Sequence, residues 1–137
     1  MSHDKSKVVN VKSVEQYEEL KSKGLVIIDF NTTWCGPCKR FAPVFDEISK
    51  KYPGVVFLSV DSEKIEHPDT ENISSVPTFR ILLNGEVKRE FSGVNAERLE
   101  QYIQRYAVQI SINGNIPKTF TAEDRKKIIA YMEQFSE

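Results

Sequence analysis

The sequence has very little cysteine and histidine. Its 137 residues include two of each, and the cysteines, Cys35 and Cys38, are separated by only two residues. A small secreted protein held together by disulfides carries several bridges, so the sequence disfavours this class. Two cysteines with this spacing leave metal binding or redox chemistry as the functions to weigh.

The sequence also has almost no net charge and no long apolar run. Nineteen basic and twenty acidic residues give a formal net charge of −1, so no overall field attracts the chain to nucleic acid or to an anionic membrane. The apolar stretch 25–28 is far shorter than the ~20 residues that cross a bilayer. The N-terminus has no apolar region of the secretory type. We expect a cytoplasmic monomer that binds neither nucleic acid nor membrane.

The rest of the composition is that of a globular domain. Hydrophobic residues make up 39% of the chain and charged residues 28%, which suits one domain with its own core. Residues 8–11 predict a short strand, and Ser13 with Gln16 has the form of a capping box at a helix start. We expect Gly24 to end that helix. The apolar run 25–30 predicts a central strand covered on both faces.

A second helix is predicted after the cysteines. The segment that follows Cys38 has apolar residues at helical spacing, and Pro43 within it predicts a kink. This helix is expected to end near residues 52–54. A strand over 55–60 follows, and the polar segment 61–72 has room for one short helix.

A hairpin signal and a helix cap complete the predicted domain. Asn84 and Gly85 both accept positive φ, and the β-prone segments around them predict an antiparallel hairpin. Asn95 then caps a helix with an apolar face. The order βαβαβαββα implies a three-layer α/β/α sandwich around a central mixed β-sheet.

Residues 107–137 fall outside this pattern, and we expect them to form a C-terminal extension of a domain at 7–106. Residues 108–112 alternate like a strand, and Asn113 with Gly114 offers a turn. An extra amphipathic C-terminal helix is predicted, and it either packs on the domain or docks a partner. Its apolar positions are Ile128, Ile129, Met132 and Phe135.

The two cysteines lie where the chain turns into a helix. A helix N-terminus offers unpaired amides and partial positive charge that stabilise a thiolate, so Cys35 is the predicted nucleophile. Cys38 lies one turn further in, where it is shielded and suited to resolve a mixed disulfide. Gly36 and Pro37 keep the pair compact, and proline is tolerated in a first helical turn. The pattern favours thiol–disulfide exchange.

Three other interpretations of the cysteine pair are weaker but remain open. A closed zinc site needs four ligands, and neither His3 nor His67 has a ligand-like spacing to the cysteines. A cysteine protease needs a histidine close to the thiol in space, and the sequence does not exclude His67 from that position. An inert pair is disfavoured by the tryptophan, glycine and proline around it.

Asp29 and Trp34 are further candidates near the cysteines. Asp29 ends a very apolar strand, where an isolated charge is costly and the pKa of a carboxyl rises. It is placed to lie beneath the cysteine pair and accept the proton of Cys38, although an aspartate that reaches solvent fits the pattern equally well. Trp34 is expected to form a contact surface beside the nucleophile, with a core aromatic as the alternative.

On these residues the sequence resembles the thioredoxin family, of the cytosolic eukaryotic type, over about residues 7–106. The segment 34–39, Trp-Cys-Gly-Pro-Cys-Lys, is similar to the full active-site motif of that family. Asp29 corresponds to the family's buried acid. Two departures from bacterial relatives, Asn31 for a tryptophan and Phe57 for a lysine, make the pKa of Asp29 less predictable.

The resemblance also implies a surface for substrate. Residues 76–78, Val-Pro-Thr, are similar to the family's cis-proline segment, and the Gly-Val pair at 93–94 is similar to its last loop beside the groove. The implied substrate-binding residues are Trp34, Gly36, Pro37, Val76, Pro77, Thr78, Gly93 and Val94.

The function implied is reduction of protein disulfides, with Cys35, Cys38 and Asp29 as catalytic residues. The implied partners are protein disulfide substrates and a thioredoxin reductase or equivalent electron donor, and no metal or cofactor beyond the cysteine pair is expected. A dedicated oxidant or isomerase is less favoured, because such relatives usually carry histidine in place of Pro37. From another class, the alternative is an interaction module that docks a partner through residues 107–137.

Overall fold

The computed structural model describes residues 6–112, and its elements follow the predicted order βαβαβαββα. The predicted bounds agree with the observed ones to within one or two residues for most elements. The elements are β1 (Val8–Asn10), α1 (Val14–Leu20), β2 (Leu25–Asn31), α2 (Gly36–Lys51), β3 (Val56–Asp61), α3 (Pro68–Glu71), β4 (Thr78–Leu83), β5 (Glu86–Ser92) and α4 (Ala96–Ile112).

The five strands form one mixed sheet in the order β1-β3-β2-β4-β5. The strands β1, β3 and β2 are parallel, while β4 and β5 run antiparallel to their neighbours. Along the central strand β2, Leu25 and Ile27 belong to one core and Val26 and Ile28 to the other. Side chains alternate between the faces of a strand, so a strand buried on both faces has a nearly continuous apolar run, as residues 25–28 do here.

Helices cover both faces of this sheet. The helices α2 and α4 pack on one face, where the Phe45 and Phe57 rings meet edge to face with centroids 5.5 Å apart. Tyr17 of α1 is fully buried on the other face. Burial of such large side chains contributes roughly 1.5–3 kcal/mol each. The three-layer α/β/α sandwich is confirmed, and within residues 6–112 no helix is long and apolar enough to cross a membrane.

Helix α1 begins as predicted and ends earlier. Ser13 Oγ accepts a hydrogen bond from the Gln16 N–H at 3.1 Å and caps the helix. The Gln16 side chain accepts from the Lys12 N–H at 2.6 Å, one residue before the cap. The helix ends at Leu20, so the predicted end at Gly24 is wrong. Gly24 lies in the turn before β2 with φ of 74°, a conformation that glycine adopts without strain.

The hairpin and the last helix cap are confirmed. Asn84 and Gly85 have φ of 53° and 84° and join β4 to β5. Asn95 Oδ1 accepts a hydrogen bond from the N–H of Arg98 at 2.9 Å, at the start of α4. Pro43 lies inside α2, and the kink at that residue stays a prediction.

The predicted strand over residues 108–112 is wrong, because α4 continues through them and crosses the predicted domain boundary after residue 106. Ala107 and Val108 lie in the same core as Leu99 and Ile103. Extending a formed helix is easier than starting a new element, and this core contact outweighs a short alternating pattern. The turn and the amphipathic helix predicted beyond residue 112 lie outside the described residues.

Candidate active site

Cys35 and Cys38 form a disulfide at the start of α2, and their Cα atoms are 5.3 Å apart. Cys35 is the N-cap residue of the helix, and its Sγ accepts a hydrogen bond from the Cys38 N–H at 3.1 Å. The first turn of a helix has N–H groups without backbone partners and carries partial positive charge. This position therefore favours a negative charge on the Cys35 sulfur once the disulfide is reduced.

The two cysteines are almost equally buried in the disulfide form. Cys35 is 3% exposed and Cys38 is 4% exposed, so the greater shielding predicted for Cys38 is not observed. Their positions differ instead, because Cys35 caps the helix whereas Cys38 lies inside its first turn and lines a cavity. Between them Pro37 is exposed and Gly36 is half-buried.

Asp29 is buried near the end of β2 and lines the same cavity as Cys38, which has a volume of about 230 Å³. Burial removes the carboxyl from water and raises the pKa of Asp29 to about 7, and the neighbouring Asn31 opposes part of this rise. Among the described residues, Asp29 Oδ1 has no hydrogen-bond partner. The alternative of an aspartate that reaches solvent is therefore wrong.

The segment before β4 and the loop after β5 are joined by hydrogen bonds. The Val76–Pro77 peptide bond is cis, as the family resemblance implied. The Gly93 N–H donates to the Pro77 carbonyl oxygen at 2.9 Å. The Thr78 and Ser92 hydroxyls share a hydrogen bond at 2.9 Å. These contacts bring the predicted residues at 76–78 and 93–94 together.

The sheet brings the segment before β4 and the loop after β5 to the same edge as the cysteines. Thr78, the first residue of β4, is paired with Phe30 near the end of β2, and the chain runs on from there to the disulfide. At this edge Trp34 is 67% exposed and Val94 is 50% exposed. Apolar side chains exposed beside a reactive group are typical of a surface that binds another molecule. The alternative of Trp34 as a core aromatic is wrong.

Three residues near the cysteines were not predicted as site residues. Glu63 Oε1 accepts a hydrogen bond from the Trp34 indole N–H at 3.0 Å, across a sequence distance that no local pattern reveals. Asn31 donates to Ser59 Oγ at 2.9 Å, and Thr32 is buried and lines the cavity with Asp29. Polar residues at the end of a buried strand and directly after it were the signal for these last two.

His67 has a structural position. Its Nδ1 accepts a hydrogen bond from the Asp69 N–H at 2.9 Å and caps α3, and its Nε2 contacts Glu18 Oε1. Both ring nitrogens are therefore engaged away from the cysteine pair, which removes the support for a protease in which His67 activates the thiol. Residues 6–112 contain no group of three or more potential ligands that could hold a metal ion.

Comparison with known proteins adds to this geometry. A model of the thioredoxin family matches residues 7–105. The chain is 42% identical over 99 residues to thioredoxin 1 of Plasmodium falciparum, covering 71% of this chain and 95% of the relative. It is 44% identical over 101 residues to the thioredoxin of Equus caballus, covering 72% of this chain and 95% of the relative.

Solved structures agree with these sequence matches. The Plasmodium falciparum thioredoxin structure superposes with a TM-score of 0.66 at 42% identity, covering 72% of this chain and 98% of that chain. The thioredoxin NaTrxh from Nicotiana alata superposes with a TM-score of 0.68 at 29% identity, covering 77% and 97% of the two chains. Both likenesses span nearly the whole of the compared proteins.

Proposed function

The chain belongs to the thioredoxin family, and we propose that Cys35 is the attacking thiol and Cys38 the resolving thiol of its reaction. It is a dithiol–disulfide oxidoreductase acting on protein disulfides, with no cofactor beyond its redox-active disulfide. Family membership also implies thioredoxin reductase as a partner. The observation that carries the assignment is the Cys35 sulfur at the tip of α2, accepting the Cys38 N–H.

The reaction starts from the reduced pair. The Cys35 thiolate bonds to one sulfur of the substrate disulfide, and the other substrate sulfur leaves as a thiolate. Cys38 then loses its proton and attacks the Cys35 sulfur of the mixed disulfide. The Cys35–Cys38 bond forms, and the second substrate sulfur leaves. Two electrons have passed to the substrate, whose two thiolates leave and take up protons from the surrounding water, and the reductase supplies the electrons that restore the dithiol.

Asp29 is the proposed acceptor of the Cys38 proton. Both residues line one cavity, and burial raises the pKa of Asp29 to about 7. A carboxyl with a pKa near the working pH is best suited to take up and release a proton. Replacement by Asn is expected to slow the resolving step by about 100-fold near pH 7, within the range for loss of a general base.

We propose that substrates bind at the exposed apolar edge described above. Trp34 and Val94 supply exposed apolar area there, and the hydrogen bond between Gly93 and Pro77 holds two segments of the edge together. The full proposed set is Trp34, Gly36, Pro37, Val76, Pro77, Thr78, Gly93 and Val94.

A trapping experiment tests the roles of the two sulfurs. With Cys38→Ser, insulin is expected to remain attached to Cys35 as a mixed disulfide, since no second thiol releases it. With Cys35→Ser, no such adduct is expected. Mass spectrometry of the quenched reactions locates the adduct, and an adduct on Cys38 would reverse the assignment.

The likeness to redox-active thioredoxins does not favour the interaction-module alternative. We propose that the predicted extension at 107–137 is an appendage to the redox domain at 7–106 except for its first residues, since Ala107 and Val108 lie in the core of that domain. Truncation after residue 112 tests this better than truncation after 106, because Ala107 and Val108 lie in the core. Equal insulin turnover by both chains is the expected result, and a large change would place the extension at the active site.

The remaining predictions concern the state of the protein in solution and in the cell. We propose a cytoplasmic monomer without nucleic-acid or membrane partners. Light scattering checks the molecular mass against 15.7 kDa for one chain. Cell fractionation checks the location, and recovery of the protein in a membrane or organelle fraction would contradict it.

A further inference from the structure

Arg40 is a charged residue beside the active site that the reaction above does not use. Its side chain is exposed, and its guanidinium group lies against Gly36, the residue that directly follows Cys35. A Cβ atom built on Gly36 would be 3.2 Å from Nη1 of Arg40. The positive charge of Arg40 is therefore one residue away from the proposed attacking cysteine.

The geometry of α2 explains how Arg40 reaches the start of the helix. Side chains in a helix lean toward its N-terminus, and residues four apart lie on the same face. Arg40 follows Gly36 by four positions, so its side chain leans back over the first turn. Glycine leaves room there, because any other residue would place a Cβ atom against the guanidinium. The spacing of these two residues brings the charge to the tip of α2.

The guanidinium of Arg40 has no ion pair, hydrogen bond or ring contact with the part of the chain that the structure describes. By contrast, Arg80 pairs with Glu90, and Arg89 and Arg98 lie over aromatic rings. A helical arginine finds a carboxylate most easily three or four positions away. The residues at these positions are all uncharged, namely Gly36, Pro37, Pro43 and Val44. The charge of Arg40 is thus available to a group outside the chain.

The charge also lies where it does not stabilise the helix. Positive charge near a helix N-terminus opposes the helix dipole, and acidic residues are favoured there. The first turns of α1, α3 and α4 each contain an acidic residue. The first turn of α2 contains none, and Lys39 and Arg40 follow it. The tip of α2 is therefore positive, which suits an anionic group that approaches from outside.

Charges of the opposite sign lie beside Trp34. Glu63 accepts the hydrogen bond of the Trp34 indole, and the Glu63 backbone N–H donates to Asp61 Oδ1. The surroundings of Trp34 are therefore negative, and those of Gly36 are positive. A complementary arrangement of charges guides a partner into one orientation and disfavours others. An acidic group on a substrate is attracted toward Arg40 and repelled from Glu63.

We propose that Arg40 is a specificity-determining residue that favours protein disulfides with an acidic side chain next to a cysteine. The inference rests on the proposed attack by Cys35, because Arg40 lies beside that residue. The carboxylate of such a substrate pairs with the Arg40 guanidinium as the substrate disulfide reaches Cys35. Arginine suits this task, because its planar guanidinium donates two parallel hydrogen bonds to a carboxylate.

Cyclic peptide disulfides test this preference. Three peptides are identical except for the residue next to each cysteine, which is Glu, Gln or Lys. Each protein is reduced, freed of reductant and mixed with each peptide at pH 7 without a reductase. Samples are quenched with acid at intervals, and the oxidised fraction of the protein is measured by mass spectrometry. The rate of each peptide with dithiothreitol alone corrects for the peptide's own reactivity.

Arg40→Gln is expected to lower the ratio of the Glu-peptide rate to the Gln-peptide rate about threefold, within the range for one exposed ion pair. Arg40→Glu is expected to lower the ratio about tenfold, since attraction becomes repulsion. Salt at about 1 M should bring the wild-type ratio close to one, because it screens exposed charges. Lys50→Gln is the control, since it removes the same charge about 15 Å further along α2. The control should leave the ratio unchanged.

Three outcomes would overturn the proposal. A ratio that is equal in the wild type and Arg40→Gln would mean that no carboxylate meets Arg40. Equal slowing of all three peptides, with slower alkylation of Cys35 by neutral iodoacetamide, would mean that Arg40 acts on the Cys35 thiolate and not on the substrate. The same ratio change in Lys50→Gln would assign the effect to net charge. Absence of a Cys35 adduct in the Cys38→Ser protein would instead remove the proposed function, and this inference with it.

Discussion

The two surroundings of the cysteine pair are opposite in character. On the exposed edge the side chains are apolar, with Trp34 and Val94 at least half exposed, whereas the cavity beside Cys38 has the buried polar residues Asp29 and Thr32 in its lining. Folding alone favours the reverse, with apolar groups inside and polar groups outside. The difference separates two tasks, because contact with a second protein requires exposed apolar area and proton transfer requires a shielded carboxyl.

On the cavity side of the cysteine pair, the largest expected effect is that of Asp29→Asn on the pH dependence of stability. The pKa of Asp29 is about 7 in the folded chain and about 3.9 in an unfolded chain. Between these values the folded state keeps a proton that the unfolded state has released. The wild type therefore loses stability as the pH rises from about 4 to about 7, by up to about 4 kcal/mol, and the loss persists above pH 7.

Urea unfolding of both proteins at pH 4 and pH 8 measures this effect. Asp29→Asn is expected to be the more stable protein at pH 8 and to have little advantage at pH 4. An equal pH dependence in the two proteins would mean that the Asp29 carboxyl titrates as in water. The cavity side would then contain no carboxyl with a raised pKa.

On the apolar side, Trp34→Ala is expected to raise the KM for insulin at least tenfold, since a large aromatic at the centre of a contact commonly contributes about 2 kcal/mol. The rate with a small aromatic disulfide is expected to change little, because such a substrate covers less of the edge. Val87→Ala is the control, since Val87 is 50% exposed near the other end of β5. Equal losses for both substrates would assign Trp34 to the chemistry.

Gly93→Ala tests the backbone of the apolar edge. Gly93 has φ of 88°, and an added Cβ would meet no atom within 4 Å, so the cost is backbone strain of about 1 kcal/mol. Gly24→Ala is matched, with φ of 74° and equally open space. Denaturation is expected to show similar losses, but only the Gly93 variant should slow insulin reduction. Slowing by both would indicate a general loss of stability.

The smallest effect is expected from Asn31→Ala. Asn31 lowers the pKa of Asp29 against the larger effect of burial, so its removal should raise that pKa further. The pH profile of mixed-disulfide resolution should then move to higher pH, and carboxyl NMR of Asp29 should show the same direction. A shift to lower pH would mean that water entering the space left by Asn31 stabilises the Asp29 carboxylate more than the Asn31 side chain did.

The parts of the fold that the sequence could predict are those with a local cause. Asn84 and Gly85 specify a turn by their own backbone preferences, and the run 25–28 at the start of β2 is apolar because that strand is covered on both faces. The strand predicted at 108–112 failed for the opposite reason. Five alternating residues do not reveal that Ala107 and Val108 already contact the core in a helix.

The site was predictable in the same uneven way. The cysteines and their helix start are contiguous in sequence, and so their roles could be inferred from neighbours. Whether Asp29 reaches solvent depends on what packs over β2, which periodicity does not encode. The link from Gly93 to Pro77 spans 16 positions and uses only backbone atoms, so no side-chain pattern marks it.

The sequence contains one tryptophan, and its indole lies at the protein's contact edge, tethered to Glu63. All tryptophan fluorescence of this chain therefore originates beside the reactive sulfurs, and the phenylalanine and tyrosine rings of the core do not contribute to it. An unlabelled sample thus carries its own optical probe of docking and of oxidation state. Emission changes on mixing with a substrate would report events at this edge before the interior has changed at all.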